Sequence, residues 1–148
     1  MPQSTDSLIL DSFILDGNLS ELTRLTAETA RFCRQHSLGA EVEFYANLVL
    51  EELFTNAIRH GGCDGMREAV RVQFETAANG VTIEFSDRGA PFDPTALAAP
   101  ELDAPLETRQ IGGLGIHLVR QSVRDLRYER VNDWNRLTMR RPSRDEER

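Results

Sequence analysis

Residues 70–85 constrain the fold more than any other stretch of this chain. Val70, Val72 and Phe74 alternate with polar residues, Val81, Ile83 and Phe85 do the same, and Asn79-Gly80 stands between the two runs. A two-residue period places successive side chains on opposite faces of a strand, and Asn-Gly is a strong signal for a tight hairpin. The stretch therefore reads as an antiparallel hairpin with one apolar face, which other elements must cover.

The residues before it supply helices. Ser7 to Asp16 is short and rich in large apolar side chains, and reads as a first strand. Asn18 and Glu21 have the spacing of a helix-capping pair, and Leu19, Leu22, Leu25, Phe32 and Cys33 follow at helical spacing up to His36. Gly39 is the expected stop. A second helix is expected from about Ala40 to His60, with Phe44, Leu48, Val49, Leu53, Phe54, Ala57 and Ile58 on its apolar face and Gly61-Gly62 as its end.

After the hairpin, Asp87 to Pro94 is a loop of turn formers, and Thr95 to Ile111, interrupted by Pro100 and Pro105, reads as a lid. Gly112 to Gly115 opens a helix whose buried face is marked by Ile116, Val119, Val123 and Leu126. Two last strands are expected over Leu126 to Val131 and Arg136 to Arg140, with flexible tails at 1–6 and 142–148. The order predicts one α+β domain over residues 7–141, a two-layer sandwich with helices on one face of a mixed, mostly antiparallel sheet.

Charge and composition exclude several functions. The formal net charge is −7, which disfavours general binding to nucleic-acid phosphates. No apolar run approaches the ~20 residues that a membrane helix needs. Met1 to Asp6 lacks the charged start and apolar stretch of a signal peptide, so a cytoplasmic location is expected. Cys33 and Cys63 are not spaced as a zinc or redox pair. The chain has no lysine; all 17 of its basic residues are arginine. A P-loop and a protein kinase of the eukaryotic type each need a lysine on the phosphates, so neither operates here in its usual form.

Three segments can carry chemistry. Glu52 and Asn56 lie four apart on the second helix and share a face. A carboxylate there can take a proton from a hydroxyl, and a carboxamide oxygen can hold Mg²⁺, although such a pair is also at home on a solvated helix. In the loop Asp87 to Asp93, the aspartate can accept from an exocyclic amine such as that of adenine. Gly89 allows close backbone approach and Phe92 can pack nearby; a plain turn has the same composition. Gly112, Gly113, Leu114, Gly115 and Ile116 begin a helix, where backbone N–H groups suit a polyphosphate without any lysine; a hinge or a cap looks the same in isolation.

Together, the order and spacing resemble the GHKL ATPase superfamily of gyrase, histidine kinases and mismatch-repair ATPases. The resemblance rests on Glu52 to Asn56 with Arg59-His60, on Asp87, Gly89, Pro91 and Phe92, and on Gly113 and Gly115. Within it, the chain is most similar to the bacterial anti-sigma-factor serine kinases, from about Ser7 to Arg141. That resemblance implies the Bergerat-type fold with ATP and Mg²⁺. It implies Glu52 as general base, Asn56 on the metal, Arg59 and His60 beside the phosphates, Asp87 on adenine, and Gly113 and Gly115 lining the phosphates. It further implies a serine on a STAS-type anti-anti-sigma protein as acceptor, a sigma factor or other regulator as alternative partner, and a homodimer. A second function class, a module that sequesters its partner without kinase turnover, fits the same motifs. Relatives often carry Gly-Thr in the last hairpin, where the threonine supports the adenine aspartate; here Asn135 stands in that region.

Overall fold

A computed structural model describes residues 10–77, 80–96 and 113–142. The elements are β1 (Leu10–Leu15), a 3-10 turn (Leu19–Glu21), α1 (Leu22–Gln35), α2 (Ala40–Arg59), β2 (Val70–Ala77), β3 (Gly80–Asp87), a second 3-10 turn (Pro94–Ala96), α3 (Gly113–Ser122), β4 (Arg124–Val131) and β5 (Trp134–Pro142). The strands form one sheet in the order β1-β2-β3-β5-β4. All four strand pairings among the described residues are antiparallel. Close connections of the 77-to-80 and 131-to-134 kind return a strand antiparallel to its neighbour, and no described crossover places two parallel strands side by side.

The alternation read from the sequence sets the faces. Val70, Val72, Phe74, Val81, Ile83 and Phe85 are all buried, together with Leu137 and Met139 of β5. The helices cover them. Phe32 of α1 stacks on Phe74 with ring centroids 4.9 Å apart, and Val42, Ala46, Val49, Leu50, Leu53, Phe54, Ala57 and Ile58 form the buried stripe of α2. Side chains of this size each contribute about 1.5–3 kcal/mol when fully buried.

Several boundaries differ from expectation for local reasons. The Asn18 side chain caps the 3-10 turn by accepting from the Ser20 N–H at 2.9 Å. Glu21 does not return to Asn18; it accepts from the Asp16 N–H, so the reciprocal capping box is replaced by a brace on the end of β1. Phe44 is 62% exposed and lies off the α2 stripe. Gly80 already pairs with Ala77 as a strand residue. Leu126 belongs to β4 and not to the preceding helix. Pro142 is no tail residue: it is buried and closes β5 opposite Gly80. Asn132 adopts the left-handed region (φ 57°) in the short β4–β5 turn, which asparagine tolerates.

Buried Arg141 ties the helix layer to the sheet. Its guanidinium donates to the Ser122 carbonyl at the end of α3 (2.8 Å) and lies 4.1 Å from the Tyr45 ring centre on α2. A cation at a helix C-terminus complements the exposed carbonyls there, so Arg141 holds α3 at a set position against α2.

Cys33 and Cys63 are free and buried. Burial pushes both thiols up to about 11, with Glu43 adding to the effect at Cys33 and Asp87 at Cys63. The thiolate is the reactive form. Neither cysteine is therefore expected to react with an alkylating reagent at pH 8 until the chain unfolds; rapid native labelling of either, read by intact mass, contradicts this packing.

Candidate functional site

Glu52 and Asn56 sit half-buried on α2, one turn apart, while neighbouring Glu51 is exposed. Arg59 and His60 follow at the exposed end of the helix. The N–H groups of His60 and Gly61 close on the Asn56 carbonyl at 2.9 and 3.0 Å. The helix then hands over to the second segment: the Gly61 carbonyl accepts from the Ala90 N–H at 3.0 Å. A Cβ on Gly89 would stand 2.5 Å from that carbonyl oxygen and 2.9 Å from Asp87 Oδ1, so only glycine allows this approach.

The third segment meets the first. A Cβ built on Gly115, in the first turn of α3, would overlap the Glu52 carboxylate. The carboxylate thus lies directly against the backbone of the glycine turn. Aspartate loop and glycine turn, separate in sequence, thus each meet α2, the loop at Gly61 just past its end and the turn at Glu52.

Asp87 ends β3, and the described N–H groups that reach it both serve Oδ1: Gly89 N–H at 2.8 Å and Asn135 Nδ2 at 3.0 Å. Burial pushes its carboxyl up from the usual range, while those two hydrogen bonds and the Arg130 charge pull it back. Asn135 lies opposite Asp87 on one side and Arg130 on the other, in the registers of β3–β5 and β4–β5. Its Oδ1 accepts from the Tyr128 hydroxyl (2.7 Å), Arg130 Nη1 (3.2 Å) and the Phe92 N–H (3.2 Å). Sequence reasoning missed Tyr128 and Arg130. The available signal was the short 132–133 turn, which sets Arg130 across from Asn135 once the hairpin is placed.

Other expected positions are placed as follows. Pro91 is exposed and Phe92 is 47% exposed, so its ring adds little to the core; its backbone N–H carries the contact. Gly113 begins α3, and Leu114 and Ile116 follow on its backbone. Gly112 and residues 97–111 of the expected lid lie outside the described residues; Thr95 belongs to the 3-10 turn. His36 packs on Phe32 at 4.5 Å. Trp134 carries the guanidinium groups of Arg71 and Arg88 over its ring at 4.8 and 4.6 Å.

Among the described residues no group of three His, Cys, Asp or Glu side chains could hold a metal alone. Mg²⁺ on a nucleotide needs no such group: one or two protein oxygens suffice beside phosphate and water. The half-buried Asn56 carboxamide, one turn from Glu52 on α2, offers one oxygen of that kind. No described helix is long and apolar enough to cross a membrane.

The sequence profile of the histidine kinase-like ATPase domain matches residues 16–141. The serine/threonine-protein kinase BtrW of Bordetella bronchiseptica is 29% identical over 123 residues, covering 80% of this chain and 87% of the relative. Among solved structures, the RsbU and RsbW domains of Rv1364c from Mycobacterium tuberculosis superpose with a TM-score of 0.63 at 15% identity, a likeness of fold. That match covers 92% of this chain, which spans only 33% of the solved one. The antiparallel sheet with its helix layer, the converging segments and the profile match agree: this chain belongs to the histidine kinase-like ATPase domain family.

Proposed function

We propose that the chain is an ATP-dependent serine kinase of the partner-switching type, which phosphorylates a serine on a STAS-type anti-anti-sigma protein and holds a sigma factor or another regulator in its alternative complex. The observation that carries the reading is the Glu52 carboxylate packed against Gly115, where a base and a backbone cradle for phosphate share one place. The kinship with BtrW, whose name is that of a serine/threonine-protein kinase, supports the reaction class.

Residues 7–141 form the ATPase domain in this reading, with about 95–111 as its lid. Asp87 accepts from the adenine amine, and Gly89 leaves room for the ring. The backbone N–H groups of Gly113 and Gly115 face the phosphates with the positive end of α3, and Arg59 and His60 lie beside them. Asn56 holds Mg²⁺, which supplies charge neutralisation on the phosphates when bound. Glu52 takes the proton of the acceptor hydroxyl as the new Ser O–P bond forms and the bond from the γ-phosphorus to the bridging oxygen breaks, releasing ADP. Such a transfer asks mainly for positioning and for stabilised charge.

The test is incubation with γ-labelled ATP and a STAS-type protein, followed by phosphoamino-acid analysis. Phosphoserine on the partner is the expected product. A stable complex that forms no phosphoserine supports the sequestering module instead.

A further inference from the structure

We propose that Trp134, Arg71 and Arg88 form a docking patch for an acidic segment of a partner protein, on the sheet face that the helices leave uncovered. The patch stands independently of the ATP site.

Strand alternation brings the three side chains together. Val70 and Val72 are buried under the helix layer, so Arg71 between them faces the other way and is exposed. Its cross-strand neighbours are Ile14 on β1 and Ser86 on β3, neither of them acidic. Trp134 precedes the buried Asn135 and turns to the same outer face. Arg88 is exposed one residue past β3, where its N–H donates to the Ala69 carbonyl at 3.0 Å and keeps the chain beside β2. The Arg71 and Arg88 guanidinium centres lie 4.8 and 4.6 Å from the centre of the Trp134 ring.

Two cations gathered on one ring repel each other. Among the described residues no carboxylate pairs with either guanidinium. Arg136, across from Ser86 on the same face, differs: Glu129 holds it at 2.8 Å and Glu84 stands at 3.7 Å. Stacking occupies only the flat face of a guanidinium and leaves its N–H fork free for a carboxylate. The indole thus holds two forks in place before any ligand arrives, which lowers the ordering cost of binding. Two adjacent forks match two carboxylates through charge-assisted, bidentate hydrogen bonds. The chain as a whole carries a formal net charge of −7. A nucleic acid draws its affinity from many phosphate contacts on a broad cationic surface. A pair of unpaired arginines in an acidic chain suits a short acidic stretch of protein instead.

The experiment is fluorescence anisotropy of a labelled hexaglutamate peptide titrated with the full chain, for the wild type, Arg71→Gln, Arg88→Gln and the double variant. Emission from Trp134, the only tryptophan, is followed in parallel. The wild type should bind hexaglutamate saturably, with a change in Trp134 emission, and should not bind hexaglutamine. Each single variant should weaken binding by about 3- to 10-fold and the double variant by about 10- to 100-fold. Both side chains are exposed, so the melting temperature should hold. Arg127→Gln, which removes an exposed arginine of β4 away from the tryptophan, should change binding by less than about twofold. A wild type that does not bind hexaglutamate, a double variant that binds it equally well, or an equal loss in Arg127→Gln overturns the proposal. Tighter binding of oligothymidine that the double variant loses also overturns it, by making the face a nucleic-acid surface. A wild-type dimer that the double variant dissolves overturns it too, by making the occupant a second copy of this chain.

Discussion

Replacing Glu52 with glutamine is expected to lower phosphoryl transfer by about 10²- to 10⁴-fold, the usual contribution of a positioned general base, with MgATP affinity held within about threefold. The two effects separate because the carboxylate has one task in the reaction and another in packing. Its packing task is shape: it lies against Gly115, and glutamine fills the same volume. Its proposed chemical task is to take the hydroxyl proton, which a carboxamide cannot do. Glu52→Ala should abolish transfer as well, but it also opens space beside the glycine turn, so glutamine is the cleaner variant. Single-turnover assays with labelled ATP and a STAS-type partner read the transfer, and calorimetry reads the binding. Unchanged transfer in Glu52→Gln rejects the assigned base.

Asp87→Asn is expected to separate stability from binding in the other direction. Asparagine can keep both hydrogen bonds on Oδ1, from Gly89 N–H and Asn135 Nδ2. At the other position it puts an NH₂ where the proposed site has a carboxylate oxygen for the adenine amine, so donor faces donor. An unsatisfied buried donor costs about 1–3 kcal/mol, or roughly 5- to 150-fold in affinity. Stability should move the opposite way. The folded carboxyl of Asp87 is raised by burial above its unfolded value. A raised group favours the fold below the ordinary carboxylate range, and that contribution is lost as pH rises through the folded value. At neutral pH the ionised Asp87 therefore costs stability, and the neutral asparagine removes the cost. Melting temperature at pH 7 should be equal to or above wild type, with the difference vanishing below the ordinary carboxylate range. A melting temperature that falls at pH 7 shows that the carboxylate is structurally required instead.

The sequence was legible wherever a period or a turn acted locally. Alternation at Val70 to Phe85 set the inner face of β2 and β3, and the helical spacing from Ala40 placed α2 to within a residue. It misled where a side chain's partner came from elsewhere. Phe44 has helical spacing yet faces out, because α2 is covered on a narrower stripe than its composition suggests. Pro142 looked like the start of a tail, and pairing with Gly80 keeps it in the sheet. Within the site, motif spacing picked out Glu52, Asp87 and Gly115 but could not show that Gly115 abuts Glu52, since that contact depends on where Arg141 holds the end of α3. The network of Tyr128, Arg130 and Asn135 was hidden for the same reason: it exists only across two strand registers.

A thermal melt with and without nucleotide decides whether the three separate segments make one adenine-nucleotide pocket. Ligand at 100 times its Kd stabilises the folded state by about 2.7 kcal/mol, which corresponds to a rise of several degrees for a domain of this size. MgATP should produce that rise in the wild type and in Glu52→Gln, and a smaller one in Asp87→Asn. A wild-type melt that MgATP does not move, or an equal rise in Asp87→Asn, contradicts the account.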